Sequence, residues 1–184
     1  MKTRYFILLL SILFTACQSD GDKREATDFF LRGNTKFKEK EYHESIKWYT
    51  EAVQKQAQFP DAYYNRGLVY QSLEKNEEAL ADFSKAVEQD ASFAPALFKK
   101  TEILQSMDRI DEALASAEVL VKNFPDSSAN WSLQGNIQMQ KSLWNESLAS
   151  YDRALALDKN SVETMINQGV VYQELDQLDL AEKM

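Results

Sequence analysis

Cysteine, histidine, proline and glycine are scarce in this chain of 184 residues, which has one Cys, one His, three Pro and five Gly. A lone cysteine cannot close an internal disulfide, so a disulfide scaffold is excluded. One His and one Cys leave too few soft ligands for a zinc site. Five glycines argue against a nucleotide-cradling loop and against a barrel with many tight turns. Basic charge is in deficit as well. Lys and Arg number 21 against 29 Asp and Glu, giving a net charge of −8 and a pI near 4.8. That balance disfavours nucleic-acid binding through a large basic face. Hydrophobic residues make up 44% and charged residues 27%, a globular composition rather than a disordered one. What is left is a mostly helical and mostly non-catalytic chain.

Long apolar runs are also missing. The strongest, Phe6 to Phe14, holds nine residues with Ser11 as its one polar member. It is too short for a bilayer core, which needs about 20 apolar residues. Lys2 and Arg4 precede it, and Phe14-Thr15-Ala16-Cys17 follow it. A basic start, a short apolar stretch and small residues make a secretory signal. Ending on the chain's single cysteine, the segment resembles a bacterial lipoprotein signal, with Phe14 where Leu is usual three residues before the Cys. The resemblance implies removal of residues 1–16 and acylation of Cys17, whose chains would hold a soluble domain at a bilayer at roughly 0.8 kcal/mol per buried methylene. The alternative is an ordinary signal with an incidental cysteine. Residues 17–25 are polar and expected to form a flexible tether. Gln18 rather than Asp follows the Cys. By the rule of enteric lipoproteins, this implies a bacterial envelope location at the outer membrane.

The glycines set a ruler over the remainder. Gly33, Gly67, Gly135 and Gly169 are spaced by 34, 68 and 34 residues, with Thr101 in the vacant place. With these at position eight, units run 26–59, 60–93, 94–127 and 128–161, and a partial unit runs 162–184. Position twenty is always small (Ser45, Ala79, Ala113, Ser147, Ala181), and position twenty-four reads Tyr49, Phe83, Ala117, Tyr151. Position twenty-seven reads Ala52, Ala86, Leu120, Ala154, and all three prolines fall at or beside unit boundaries. This register resembles the tetratricopeptide repeat (TPR). The resemblance implies an all-α fold, a right-handed superhelix of helical hairpins of about four and a half repeats.

Within each unit two antiparallel helices are expected, such as Asp61–Glu74 and Asn76–Gln89. Small residues at positions eight and twenty (Gly33, Gly67, Gly135, Gly169, Ala79, Ala113) let the backbones approach. The large residue at position twenty-four is expected to fill space beside the small one at twenty-seven (Ala86, Ala154). Unit three inverts that order with Ala117 and Leu120, a volume-conserving exchange. No solvating helix follows the last unit, so a fragment of a longer protein is the favoured reading of its end.

Reactive constellations are not found. Glu44, Glu78, Glu112 and Glu146 recur at position nineteen, in the first turn of each second helix, where the helix dipole favours negative charge. His43 has no partner for general-base work, and Asp108 and Asp111 bracket a turn in the manner of capping residues. The sequons at Asn130 and Asn145 lie in or beside helices and are assigned no glycan. No catalytic residue, metal, cofactor or small-molecule substrate is therefore expected.

By the resemblance, positions two, five, nine, twelve and thirteen of each first helix face a concave surface. They include Phe30, Asn34, Phe37, Tyr64, Gln71, Phe98 and Gln105, the expected peptide groove over residues 27–106. Further along they include Glu102, Ala129, Ser132, Asn136 and Glu163. Amides can pair with an extended backbone and aromatic steps can serve as anchors; the plainer alternative is that Phe30, Tyr64 and Phe98 only pad neighbouring helices. Asn34, Asn65 and Lys99 match part of the set by which some TPR proteins hold acidic chaperone C-termini, but Phe30 and Pro95 stand where basic residues belong. The sequence thus points to a lipid-tethered adaptor binding envelope proteins or peptides. Alternatives are a client-specific, pilotin-like assembly chaperone and an accessory region of a longer protein. Cys17→Ala should release the protein from envelope membranes on fractionation; unchanged retention would remove the anchor.

Overall fold

A computed structural model describes residues 2–175, with side chains described from Asp20 on. Among the described residues the secondary structure is nine α-helices: α1 (Lys2–Lys38), α2 (Tyr42–Lys55), α3 (Pro60–Ser72), α4 (Asn76–Gln89), α5 (Ala94–Ser106), α6 (Ile110–Asn123), α7 (Ser128–Gln140), α8 (Trp144–Leu157) and α9 (Val162–Glu174). Helices α3, α5, α7 and α9 each begin on position one of a unit, and α2, α4, α6 and α8 each span positions seventeen to thirty. Pro60 and Pro95 open α3 and α5, where a missing N–H costs nothing. The fold is an all-α TPR array of about four and a half repeats. It divides into two units, residues 1–90 and 91–184. In the first, α1 packs on α2 and α3, and α3 on α4; in the second, α5 packs on α6 and α7, and α7 on α8 and α9.

Each hairpin turns through one residue with a left-handed backbone: Lys40, Glu74, Asp108 and Ser142, with φ of 61°, 57°, 57° and 59°. All four stand at position fifteen. The residue after each donates its N–H back to a carbonyl five residues earlier, as Lys75 does to Tyr70 at 2.9 Å and Arg109 to Leu104 at 3.0 Å. These are Schellman closures made without glycine. The glycines are used inside the hairpins instead. A Cβ on Gly33 would lie 2.6 Å from the Tyr49 ring, one on Gly67 2.7 Å from Phe83, and one on Gly135 2.5 Å from Tyr151. The large ring at position twenty-four therefore rests on the bare Cα of position eight, a partner for the ring beyond the expected small residue at position twenty-seven. Repeat three obeys the same rule from the other side. Its position twenty-four is Ala117, and Thr101 is accommodated fully buried, bonded to Leu97 O at 2.8 Å and sharing a 2.7 Å bond with Ser116 Oγ. Position twenty completes the seam: Ser45 Oγ donates to Gly33 O, and Ser147 Oγ to Gly135 O, both at 2.9 Å. Ala79, Ala113, Ala86 and Ala154 are fully buried in this core.

Two expectations are corrected. The described part of the expected tether, Asp20–Glu25, is helical and continuous with α1. Its Lys, Arg and Glu residues are good helix formers, and Lys55 of α2 pairs with Glu25 at 2.6 Å and Asp22 at 3.7 Å. Asp108 and Asp111 are not helix caps: Asp108 is the left-handed turn residue, and Asp111 pairs with Lys141 at 2.5 Å. At Gly169 a Cβ would meet no described atom within 4 Å, and residues 176–184 lie outside the described residues. The side chains of the expected signal segment 1–16 and of Cys17 lie outside them too. Among the described residues no helix is long and apolar enough to cross a membrane.

Gly67→Ala should therefore destabilise by about 1–2 kcal/mol, overpacking of about 1–3 kcal/mol being partly offset by helix propensity. Urea unfolding of the variant checks this, and an unchanged midpoint would exclude the ring contact as a constraint on position eight.

Candidate functional site

The expected groove residues fall into two groups. In the first unit, Phe30 packs its ring 5.9 Å from Tyr49 and 5.0 Å from Phe59, and Phe37 lies 6.1 Å from Tyr42 across the first hairpin turn. Tyr64 lies 5.9 Å from Phe83. These aromatics are engaged within their own repeats, the padding role. Gln71 is half-buried on α3. Asn34 is committed to a structural junction: its Oδ1 accepts from Tyr49 OH at 2.6 Å and from Asn65 Nδ2 at 2.8 Å.

That junction recurs in the second unit. Asn136 Oδ1 accepts from Tyr151 OH at 2.8 Å and from Asn167 Nδ2 at 2.9 Å. In both places position nine of one repeat, its own position twenty-four and position six of the next repeat meet at one oxygen. Position seven joins adjacent repeats in a parallel way. Arg66 forms a two-pronged pair with Asp82 at 2.7 and 2.8 Å and reaches Thr50 of the preceding repeat at 3.0 Å. Gln168 reaches Asp152 of the preceding repeat at 2.7 Å. Repeat two carries Leu68 and Phe83 at positions nine and twenty-four, so both polar members are lost together.

A cleft opens in the second unit, where the first helices of repeats three to five come together. It has a volume of about 340 Å³ and is lined from α5 by Phe98 and Glu102, from α7 by Ser128, Ala129, Ser132, Leu133 and Asn136, and from α9 and its approach by Asp158, Ser161, Glu163 and Thr164. Six of these, Phe98, Glu102, Ala129, Ser132, Asn136 and Glu163, stand at positions two, five and nine, which the resemblance assigns to the concave face. Gln105 lies further along α5 and donates to Gln140 Oε1 at 3.3 Å. The floor carries a run of hydroxyls: Thr164 Oγ1, on a residue only 1% exposed, is 2.6 Å from Ser132 Oγ and 2.8 Å from Ser161 Oγ. Asp158, Ser161 and Thr164 escaped the sequence reading because the first two lie in the link before α9 and Thr164 stands at position three, outside the concave set. Of the expected groove residues, only Phe98 lines this cleft. Among the described residues no group of three His, Cys, Asp or Glu side chains is placed to hold a metal ion.

Paired helices repeating every 34 residues, locked by a ring on a glycine, define a helical-hairpin repeat protein. Family models for the TPR repeat match residues 33–74, 60–93 and 95–127; the chain is a tetratricopeptide repeat protein. No curated protein matches it significantly in sequence. Solved structures do share its fold. MamA of Desulfovibrio magneticus RS-1, residues 41 to the end, superposes with a TM-score of 0.81 at 16% identity, over 86% of this chain and 90% of that one. YrrB, described as a TPR protein with an unusual peptide-binding site, gives 0.76 at 19% identity over 88% and 84%. PilF of Pseudomonas aeruginosa gives 0.75 at 15% identity over 89% and 74%.

The two junction tyrosines generate a pH prediction. Both are fully buried, and burial pushes their phenols up from 10.0 to about 12. The folded state thus holds these protons more tightly than the unfolded chain. The stability this contributes is whole below pH about 10 and is lost as pH rises toward 12. Tyr49→Phe/Tyr151→Phe should lower stability at pH 7 by about 1 kcal/mol per lost hydrogen bond and flatten the alkaline decline between pH 10 and 12. Denaturant titrations across that range test both effects.

Proposed function

We propose that the protein is a non-catalytic adaptor, held by acylated Cys17 in a bacterial envelope, that binds an extended segment of a partner protein on its first-helix face. TPR repeats support a protein-interaction scaffold, and the observation that carries the binding mode is the cleft at Phe98, Ser132 and Glu163. It gathers residues from three successive first helices at the register positions that face a ligand. Its volume is at the lower end of the roughly 300–1,000 Å³ common for binding pockets, room for a few side chains rather than for a folded domain. Its lining mixes an aromatic wall with hydroxyls and carboxylates, which suits a peptide's alternation of apolar and polar groups. That YrrB is described as carrying a peptide-binding site on a similar fold is consistent with this reading. The lipoprotein signal supplies the address, and Gln18 after the Cys favours the outer membrane. A pilotin-like chaperone for a single client would use the same cleft; it differs in protecting the client from aggregation and then releasing it.

Ala129 is exposed on the cleft wall, so Ala129→Trp should fill the cleft without disturbing the core. Crosslinking capture from envelope membranes should lose the principal partner in this variant. Undiminished capture by a normally folded Ala129→Trp protein would refute the cleft as the binding site.

A further inference from the structure

We infer that the cleft between α5, α7 and α9 receives a lysine or arginine side chain from an extended partner segment, which rests on the peptide-binding reading above. The lining holds three carboxylates, Glu102, Asp158 and Glu163, and no basic residue. Glu102 is already matched by Lys99 at 2.7 Å. Asp158 accepts the Asn160 backbone N–H at 3.1 Å, and neither Asp158 nor Glu163 has an ion-pair partner among the described residues. Their charge is thus uncompensated at the mouth of the cavity. Its field extends behind the lining to the Tyr151 phenol, which is bonded to the lining Asn136 and which Glu163 helps push up after the larger effect of burial.

The shape of the site separates a side-chain cation from a free ion. Glu102, Asp158 and Glu163 do not form a three-residue group placed to hold a metal ion, and the apolar wall beside them suits a cation carried on a side chain. Phe98, half-buried at one wall, supplies apolar surface for the methylenes of a long basic side chain, which bury their stems on apolar surface while the head stays polar. The Ser132–Thr164–Ser161 run needs two hydroxyl protons for its two bonds, leaving a third proton and spare lone pairs for the ligand's backbone. An acidic segment would meet repulsion from the same carboxylates. The cleft therefore has the opposite polarity to the carboxylate-gripping set only partly matched by Asn34, Asn65 and Lys99.

The test is fluorescence polarisation of the full chain, in non-ionic detergent, with a labelled octapeptide of alternating serine and lysine. Its acetyl-lysine and glutamate forms serve as controls. The lysine form should bind about five- to tenfold tighter than the acetyl-lysine form, the size expected of two exposed ion pairs. Asp158→Asn/Glu163→Gln, at two exposed positions, should abolish that difference with the helical circular dichroism unchanged. Equal binding of lysine and acetyl-lysine forms would overturn the cation preference while leaving the peptide groove standing. Preference for glutamate, no binding of the lysine form, or a lysine preference that survives the double substitution would each overturn the inference. The groove itself is judged separately by capture with Ala129→Trp.

Discussion

An aromatic ring lying on a glycine is the contact on which the repeats depend. At Gly33–Tyr49, Gly67–Phe83 and Gly135–Tyr151 the ring occupies the volume that a Cβ would need, which sets how closely the two helices of a hairpin approach. That approach brings the position-twenty hydroxyl of Ser45 or Ser147 within bonding distance of the glycine carbonyl. It also directs the phenol of Tyr49 or Tyr151 to the edge of the hairpin, where an asparagine and the next repeat can be reached. One steric fit therefore governs packing inside a repeat and polar bonding between repeats. The sites without the ring support the rule: where position twenty-four is Ala117, position eight is free to be Thr101.

Much of this was legible in the sequence, because the fold is periodic and each column is sampled several times. Glycine spacing placed the repeat boundaries, and the start of α3, α5, α7 and α9 on position one follows from it. The helical start at Asp20–Glu25 was not legible, since a polar run suits a tether as well as an exposed helix, and its pairing with Lys55 depends on tertiary structure. The turn residues at position fifteen were missed for a related reason. A left-handed backbone is normally signalled by glycine, whereas here Lys, Glu, Asp and Ser occupy it, held by the Schellman bonds around them.

The site was legible only as a face. Register positions two, five and nine supply six of the residues that line the cleft of repeats three to five. Which parts of that surface stay available was decided by partners the sequence does not reveal. Asn34 shares its oxygen between Tyr49 and Asn65, and Phe30, half-buried, sets its ring against Tyr49 and Phe59. Asn136 lies in the same column and does both jobs, accepting from Tyr151 and Asn167 while it lines the cleft. The lining of the cleft is thereby tied to the integrity of the junction between repeats four and five.

The Asn–Tyr–Asn junction has an implication for how such arrays change length. Repeats one and four carry the same outgoing half, Asn and Tyr, and repeats two and five the same incoming half, Asn65 and Asn167. Unequal recombination that placed repeat four ahead of repeat two, or repeat one ahead of repeat five, would rejoin matching polar halves and preserve the seam. Duplicating repeat two would instead set Leu68 and Phe83 against an incoming amide with no acceptor. Gains and losses of modules in its lineage should therefore concentrate at the compatible seams.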